Sequence, residues 1–129
     1  IKDREGEPRQ KQKRRRMHAE FIKQTRALAG LRGADVLIVN PEHYAVGLRY
    51  APGEMEAPRI VAKGRNRFAL VLKKRAALWS ILTISDPPLA RALYRSGEVG
   101  SDIAGAHYRA VADIYIRMQR PKAGPNADI

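Results

Sequence analysis

The feature that most constrains this chain is a compact β-branched run that ends directly in Asn-Pro. Residues 34–39 are mostly apolar and rich in Val and Ile, a composition typical of a strand buried inside a sheet. Asn40-Pro41 ends this run, because proline has no backbone donor and the pair favours a turn. Over 43–50 the larger apolar residues recur at every second position. We therefore predict a second strand there, with one face formed by Tyr44, Val46, Leu48 and Tyr50.

Strands and helices alternate along the chain. The predicted elements are, in chain order, a helix over 8–28, the two strands above, a strand over 59–63 closed by Gly64, a helix over 66–78, a strand over 81–85, a helix from Pro87 through Tyr94 with Asp86 as its N-cap, and a helix after Gly105. This order favours an α/β fold. We expect a small sandwich with a mixed sheet of about four strands flanked by helices and preceded by an exposed N-terminal linker helix.

Each of the last three predicted helices carries a candidate core face. The apolar positions at helical spacing are Phe68, Val71, Leu72 and Trp79 in the first, Leu89, Ala92 and Leu93 in the second, and Tyr108, Val111, Ala112, Tyr115 and Met118 in the third. Arg75 interrupts the first of these faces. Arg91 and Arg95 are expected on the outer side of the second helix, where a partner can reach them.

The chain length of 129 residues leaves room for one globular domain. We divide it into a basic linker helix over 1–33, a folded domain over 34–118 and a flexible tail over 119–129. No apolar run is long enough for a membrane span, so we do not expect this piece to cross a bilayer. The chain begins with Ile1 rather than Met and has no basic segment followed by an apolar one, as a secretion leader would have. We therefore expect it to be a piece of a longer protein.

The charge of the chain is concentrated towards its beginning. The net charge is +12, and residues 1–33 hold eleven Lys or Arg against four Asp or Glu, a local net charge of +7. Such a segment suits an anionic membrane surface, a nucleic acid or a solvated helix. Phe21 is its only Phe, Tyr or Trp, whereas sequence-tolerant nucleic-acid binders interleave basic residues with stacking aromatics. A basic nucleic-acid-binding module is therefore the weaker alternative, and we expect no nucleic-acid partner.

The sequence lacks the residues or motifs that several kinds of chemistry require. Without cysteine the chain forms no disulfide and no zinc–thiolate site. His18, His43 and His107 are too scattered to suggest a metal site, and we predict neither a metal nor a cofactor. The sequence contains no nucleophile-elbow motif, no phosphate loop and no recognisable pair of carboxylates. A multiple-turnover enzyme is therefore not expected.

Several motifs, in order along the chain, carry a resemblance to a known family. The string Asn-Pro-Glu-His-Tyr-Ala-Val-Gly-Leu-Arg-Tyr over 40–50 looks like the Asn-Pro-Thr-His-Tyr-Ala-Val segment of the FlhB and YscU family of type III export switch proteins. The segments 61–64 and 88–94 follow at that family's approximate spacing. The residues Tyr108, Ala110, Val111 and Ala112 resemble its terminal helix, and 1–8 resemble the linker that leaves its last membrane helix. The resemblance covers nearly the whole chain.

This resemblance implies the cytoplasmic half of a protein whose other half is embedded in the bacterial inner membrane. In the family, the domain breaks its own chain between Asn and Pro, the two pieces stay associated, and export shifts from early rod, hook or needle parts to late substrates. The implied partners are export-gate membrane components, the ruler protein that controls hook or needle length, and the export substrates. By resemblance alone, residues 44–46 lean towards the flagellar branch.

The Asn40-Pro41 bond allows one intramolecular route to a broken chain. The nitrogen of Pro41 is a tertiary amide without a proton, so it cannot attack the Asn40 side chain. The Asn40 side-chain nitrogen can instead attack its own backbone carbonyl, close a succinimide and expel Pro41 as a secondary amine. Such a step needs a turn that holds the geometry, a donor for the oxyanion and a proton carrier. His43 is the candidate carrier, because histidine gains and loses its proton near neutral pH.

Glu42 stands where the resembled family has Thr. A carboxylate can act as a base, but it also puts negative charge beside a developing oxyanion, and while ionised it has no hydroxyl to donate. Two interpretations therefore stay open. The chain is a self-cleaving, single-turnover switch with Asn40, Pro41, Glu42 and His43 as its site, or it is a non-cleaving paralogue that acts only as a docking platform for substrates and partners.

Overall fold

The chain folds as an α/β domain with four helices and four strands in its described part. The computed structural model describes residues 2–41 and 43–119, with side chains from residue 9 onward. The elements are α1 (Lys2–Arg32), β1 (Val36–Asn40), β2 (Tyr44–Arg49), β3 (Arg59–Arg65), α2 (Arg67–Leu78), β4 (Leu82–Ser85), α3 (Pro87–Ser96) and α4 (Tyr108–Gln119), the last preceded by a 3₁₀ turn over Gly105–His107. Glu42 and residues 120–129 of the predicted tail lie outside the described residues.

The four strands form one mixed sheet in the order β3-β2-β1-β4. Antiparallel pairing joins β1 to β2 and β2 to β3, whereas β4 lies parallel to β1 on the other side. A parallel neighbour requires a crossover connection, and α2 supplies it between β3 and β4. The predicted α/β fold with a mixed sheet flanked by helices is confirmed.

Strand β1 lies between two hydrophobic cores, one on each face of the sheet. Val36 and Ile38 pack with α3 and α4, while Leu37 and Val39 pack with α1 and α2. None of these four side chains is more than 2% exposed. Burial on both faces explains the continuous apolar run in the sequence, because such a strand has no polar side.

Strand β2 confirms the predicted alternation for Tyr44, Val46 and Leu48, which share one face with the first core. The opposite face, which carries Ala45, is buried as well. Both faces are covered because α1 and α2 lie over the side that carries the small residues.

A β-bulge in β3 changes which core its side chains enter. Leu48 of β2 pairs with Ile60, but the preceding residue Gly47 pairs with Ala62, so Val61 is an extra residue. Ile60 therefore lies in the first core, although Ala62, two positions later, lies in the second. Strand β3 also runs past Gly64, which the sequence predicted as its end, because β2 continues to pair with it as far as Arg65.

Helix α1 is longer than predicted, and its final turns pack onto the sheet. Ala27 and Leu31 are buried in the second core, whereas residues 9–23 are exposed. A Cβ on Gly30 would overlap the carbonyl oxygen of Val61, so glycine allows the helix to cross the bulge of β3 closely. Among the residues described, we find no helix with the length and apolar character needed to span a bilayer.

The core faces of the last three helices differ from the predicted ones in part. Helix α2 buries Ala69, Leu72 and Ala76, while Val71 is 38% exposed. Arg75 was expected to interrupt the core face of this helix. It lies outside the observed face, which consists largely of small residues. Helix α3 buries Leu89 and Leu93 as predicted, but Ala90 rather than Ala92; Arg91 and Arg95 are exposed as expected. Helix α4 buries Val111 and Ile114, and Tyr108 and Ala112 are exposed.

Helix α2 begins after a residue with a strained backbone, which gives a stability prediction. Asn66 has φ 54° and ψ −124° and makes no side-chain capping bond. This conformation favours glycine and costs other residues about 1–3 kcal/mol. We expect Asn66→Gly to raise the free energy of unfolding by about 1 kcal/mol, because relief of strain exceeds the added entropy of the unfolded chain. Asn66→Ala, which keeps a Cβ, is the control in urea denaturation; equal stability of the two variants would contradict the prediction.

Candidate functional site

The Asn40-Pro41 bond lies in the turn between β1 and β2. Asn40 is the last residue of β1 and pairs with Tyr44, the first residue of β2. Asn40 is half-buried, whereas Pro41 and His43 are exposed. The structure thus brings together three of the four predicted site residues in one tight turn, while Glu42 is outside the described part of the chain.

The carbonyl group of Asn40 already accepts a hydrogen bond. The backbone N–H of His43 donates to the Asn40 carbonyl oxygen at 2.9 Å and closes the turn. If the Asn40 side-chain nitrogen attacks this carbonyl carbon, negative charge develops on the same oxygen. A donor fixed in advance at that oxygen is the arrangement that lowers the barrier of such a step. The hydrogen bonds described for His43 are made by its backbone N–H and carbonyl groups. The sequence had suggested a role for its imidazole side chain, and it gave no indication of this backbone role.

Two backbone hydrogen bonds hold the turn from both sides. The N–H of Asp86, between β4 and α3, donates to the carbonyl oxygen of Val39 at 3.0 Å, and the N–H of Asn66, before α2, donates to that of His43 at 2.9 Å. Asp86 also caps α3, because its side chain accepts a hydrogen bond from the N–H of Leu89 at 3.3 Å, as the sequence predicted. The residues on either side of the bond are therefore attached to two different parts of the fold.

A lysine contacts the middle of the turn. The side-chain nitrogen of Lys73, on α2, donates to the carbonyl oxygen of Pro41 at 3.3 Å. Neither Lys73 nor Asn66 was predicted as a site residue, since both are far from Asn40 in sequence and neither belongs to a recognisable motif. Only the packing of α2 against the sheet brings them to the turn.

Three separate sequence motifs meet next to this turn. The ring of Tyr44, which follows His43, lies 4.9 Å from the ring of Tyr94 at the end of α3. Lys63 of β3 places its ammonium 4.6 Å from the centroid of the same ring. That ammonium also donates to the carbonyl oxygens of Tyr94 at 3.2 Å and Gly97 at 2.8 Å, which stabilises the end of α3. The three motifs are therefore parts of one packed cluster.

A second candidate site lies at the other end of the sheet. An apolar groove of about 350 Å³ opens beside Tyr50, at the end of β2 remote from Asn40. Its lining residues are Tyr50, Pro52, Glu56, Ala57, Pro58, Tyr108, Ala112, Tyr115, Ile116 and Gln119. Ile116 and Tyr108 are 56% and 48% exposed. Such a surface can take up apolar side chains of a partner.

One carboxylate orders the wall of this groove. Asp35 Oδ2 accepts hydrogen bonds from the hydroxyl of Tyr115 at 2.8 Å and from the backbone N–H of Tyr50 at 2.7 Å. The two tyrosine rings pack edge to face with centroids 5.8 Å apart. Asp35 directly precedes β1, so the groove is connected to the strand that ends at Asn40.

The chain is similar to known proteins over most of its length. The model of the family described as FlhB HrpN YscU SpaS matches residues 1–117. The chain is similar to the flagellar biosynthetic protein FlhB of Salmonella typhimurium, with 42% identity over 114 residues, which is 88% of this chain and 30% of that protein. The chain therefore spans about a third of the length of this relative.

Solved structures of similar proteins have the same fold. The cytoplasmic domain of FlhB from Shewanella putrefaciens has a TM-score of 0.72 and 34% identity, over 77% of this chain and 82% of that one. An EscU C-terminal domain with an asparagine mutated to alanine has a TM-score of 0.68 and 31% identity, over 76% and 97%. Other EscU domains carry alanine at the proline directly after that asparagine, or at the histidine two residues beyond the proline. These three mutated residues have the spacing of Asn40, Pro41 and His43.

The Tyr115–Asp35 contact predicts a dependence of stability on alkaline pH. Burial raises the pKa of the Tyr115 hydroxyl above its ordinary value, and the hydrogen bond to Asp35 and its negative charge raise it further. The unfolded tyrosine loses its proton near pH ~10 while the folded one keeps it, so this stabilisation is complete below pH ~10 and is lost above it. We expect Tyr115→Phe to cost about 2 kcal/mol at pH 8 and less at pH 11. Urea denaturation of wild type and variant at both pH values measures the difference in their free energies of unfolding. The same difference at pH 8 and pH 11 would contradict the prediction.

Proposed function

The chain belongs to the FlhB HrpN YscU SpaS family, and on that premise we propose that it is the cytoplasmic domain of a type III export-apparatus protein that controls which substrates leave. The observation that carries this proposal is the Asn40-Pro41 bond, which lies in an exposed turn with a donor at the reacting carbonyl. We place the domain at the cytoplasmic face of the bacterial inner membrane, joined to a membrane-embedded part by the linker over 1–33.

The proposed switch is a break in the chain between Asn40 and Pro41. The Asn40 side-chain nitrogen forms a bond to the Asn40 carbonyl carbon and closes a succinimide ring. The bond from that carbon to the Pro41 nitrogen breaks, and this nitrogen takes up the proton that the side-chain amide gives up. The products are a chain that ends in a succinimide at residue 40 and a chain that begins with the Pro41 amine. Water is not the nucleophile in this step.

The geometry of the turn supports this reaction in two ways. The N–H of His43 donates to the oxygen that becomes negative when the Asn40 carbonyl carbon turns tetrahedral. The hydrogen bonds to the carbonyl groups of Val39 and His43 restrict the backbone of the turn, which lowers the entropy that an intramolecular attack must lose. The exposed imidazole of His43 is our proposed proton carrier.

Burial of β1 supports the proposal that the two pieces stay associated after the break. The part that ends at Asn40 contributes the central strand, which pairs with β2 on one side and β4 on the other. Four successive buried side chains hold this strand in both cores. Burial of each such side chain contributes about 1.5–3 kcal/mol, and the new chain ends form in an exposed turn. The break therefore alters the turn and leaves the cores in place.

The proposed partners are export-gate membrane components, the ruler protein and export substrates. We assign the apolar groove beside Tyr50 and Ile116 to a substrate segment, because such a lining takes up apolar side chains rather than a charged ligand.

The alternative function is a docking platform that never cleaves. Glu42 supports that alternative, since it stands where the resembled family motif has Thr and adds a negative charge to the segment that holds the reacting bond.

Intact-mass analysis tests the break directly. Purified chain incubated near neutral pH and then denatured should give two fragments that separate at Asn40-Pro41. Asn40→Ala, which has no side-chain nitrogen, should stay intact, and Glu42→Thr should cleave at least as fast as wild type. An intact wild-type chain beside a cleaved Glu42→Thr variant would instead identify a docking platform that has lost the switch.

The exposed basic part of α1 predicts binding to anionic lipid. Residues 9–23 are exposed and strongly basic, and each Lys or Arg near an anionic surface contributes about 1 kcal/mol. We expect the chain to sediment with vesicles that contain phosphatidylserine, and to do so less as salt is added. Changing Arg14, Arg15 and Arg16 to Gln should weaken sedimentation. The same change at Lys74, Arg91 and Arg95, which removes equal charge from the domain, is the control; an equal loss in both would contradict a role of α1.

A further inference from the structure

We infer that Lys73 is a positioning residue for the break at Asn40-Pro41, which it promotes by holding Pro41 and by placing a positive charge at the carbonyl oxygen of the next residue, Pro41. This inference rests on the proposed self-cleavage and adds a residue that lies outside the Asn-Pro-Glu-His motif. Its basis is the contact of 3.3 Å between the Lys73 side-chain nitrogen and the Pro41 carbonyl oxygen.

The position of Lys73 follows from the way α2 meets the turn. The N–H of Asn66, just before the helix, donates to the carbonyl oxygen of His43. Lys73 follows Asn66 by seven residues, close to two helical turns, so both lie on the same side of α2. The helix therefore contacts the turn at two points, His43 and Pro41. Lys74, the next residue, is exposed, whereas Lys73 is half-buried.

Lys73 completes a set of attachments around the reacting bond. The carbonyl oxygen of Val39 accepts a hydrogen bond from the start of α3, and those of Pro41 and His43 accept hydrogen bonds from α2 and the residue before it. The carbonyl oxygen of Asn40 accepts the N–H of His43 within the turn itself. The Lys73 contact is the one that fixes the leaving residue, Pro41, while the Asn40 carbonyl carbon changes from planar to tetrahedral. A fixed leaving residue keeps the ring-closing geometry populated.

The charge of Lys73 acts in the same direction. Ring closure moves negative charge onto the Asn40 oxygen, one residue before the oxygen that Lys73 contacts. The attraction of a cation bound one residue away favours the charged intermediate over the neutral starting amide, but by less than a donor placed directly at the oxyanion. It also opposes the unfavourable effect of a carboxylate within the motif, such as that of Glu42. A lysine on α2 thus gives this sequence a means to cleave despite Glu42.

The test compares cleavage rates of matched variants. Each chain is purified in denaturant, refolded by dilution and sampled by intact mass over time, with folding checked by circular dichroism. We expect Lys73→Met to cleave roughly tenfold more slowly than wild type, a smaller loss than the 10²–10³ typical for direct removal of an oxyanion donor. Lys73→Arg should recover most of the rate, because it keeps the charge and the donor. Lys74→Met, which removes the adjacent exposed lysine, should cleave like wild type.

Salt dependence separates this role from a merely structural one. Added salt screens the exposed ammonium, so cleavage of wild type should slow while that of Lys73→Met changes little. A Lys73→Met variant that cleaves at the wild-type rate overturns the inference and leaves self-cleavage standing. Equal slowing in Lys73→Arg and Lys73→Met, or a salt-independent wild-type rate, also overturns it. An intact wild-type chain overturns both the inference and the proposed self-cleavage.

Discussion

The burial of β1 on both faces is the constraint on which the rest of this structure depends. Its side chains divide between two cores, so the helix pair α1 and α2 and the helix pair α3 and α4 are each attached to the same strand. Since β1 also pairs with β2 and β4, every layer of the domain meets at this strand. A strand held so firmly can end in an unusual turn without loss of the fold.

The turn at Asn40-Pro41 takes its geometry from this rigid strand. Proline ends the strand without needing a donor, the N–H of His43 closes the turn, and backbone donors before α2 and α3 hold its two sides. Each of these donors sits at the edge of an element anchored in a core. The geometry of the turn is therefore a property of the whole domain, although the residues that form it are close together in sequence.

The fold class and the position of the Asn40-Pro41 turn were predictable because both depend on local patterns. The β-branched run, the Asn-Pro pair and the Asp86 cap each act through their own backbone or immediate neighbours. The core faces of α2 and α4 were partly wrong, because apolar spacing reports which side chains prefer burial and not how closely a helix approaches the sheet. On α2 the alanines Ala69 and Ala76 allow close approach, so they are buried while the larger Val71 stays exposed.

The bulge at Val61 gave no signal in the sequence, because the apolar character of Ile60 and Ala62 is the same whichever core receives them. The same holds for Lys73 and Asn66, whose contacts with the turn depend on how α2 packs. The amino-acid sequence by itself determined the elements, the Asn40-Pro41 turn and the family, since these rest on short-range backbone preference and residue identity. Only the tertiary structure decided which distant groups surround that bond, because hydrogen bonds between segments form where packing places their donors and acceptors.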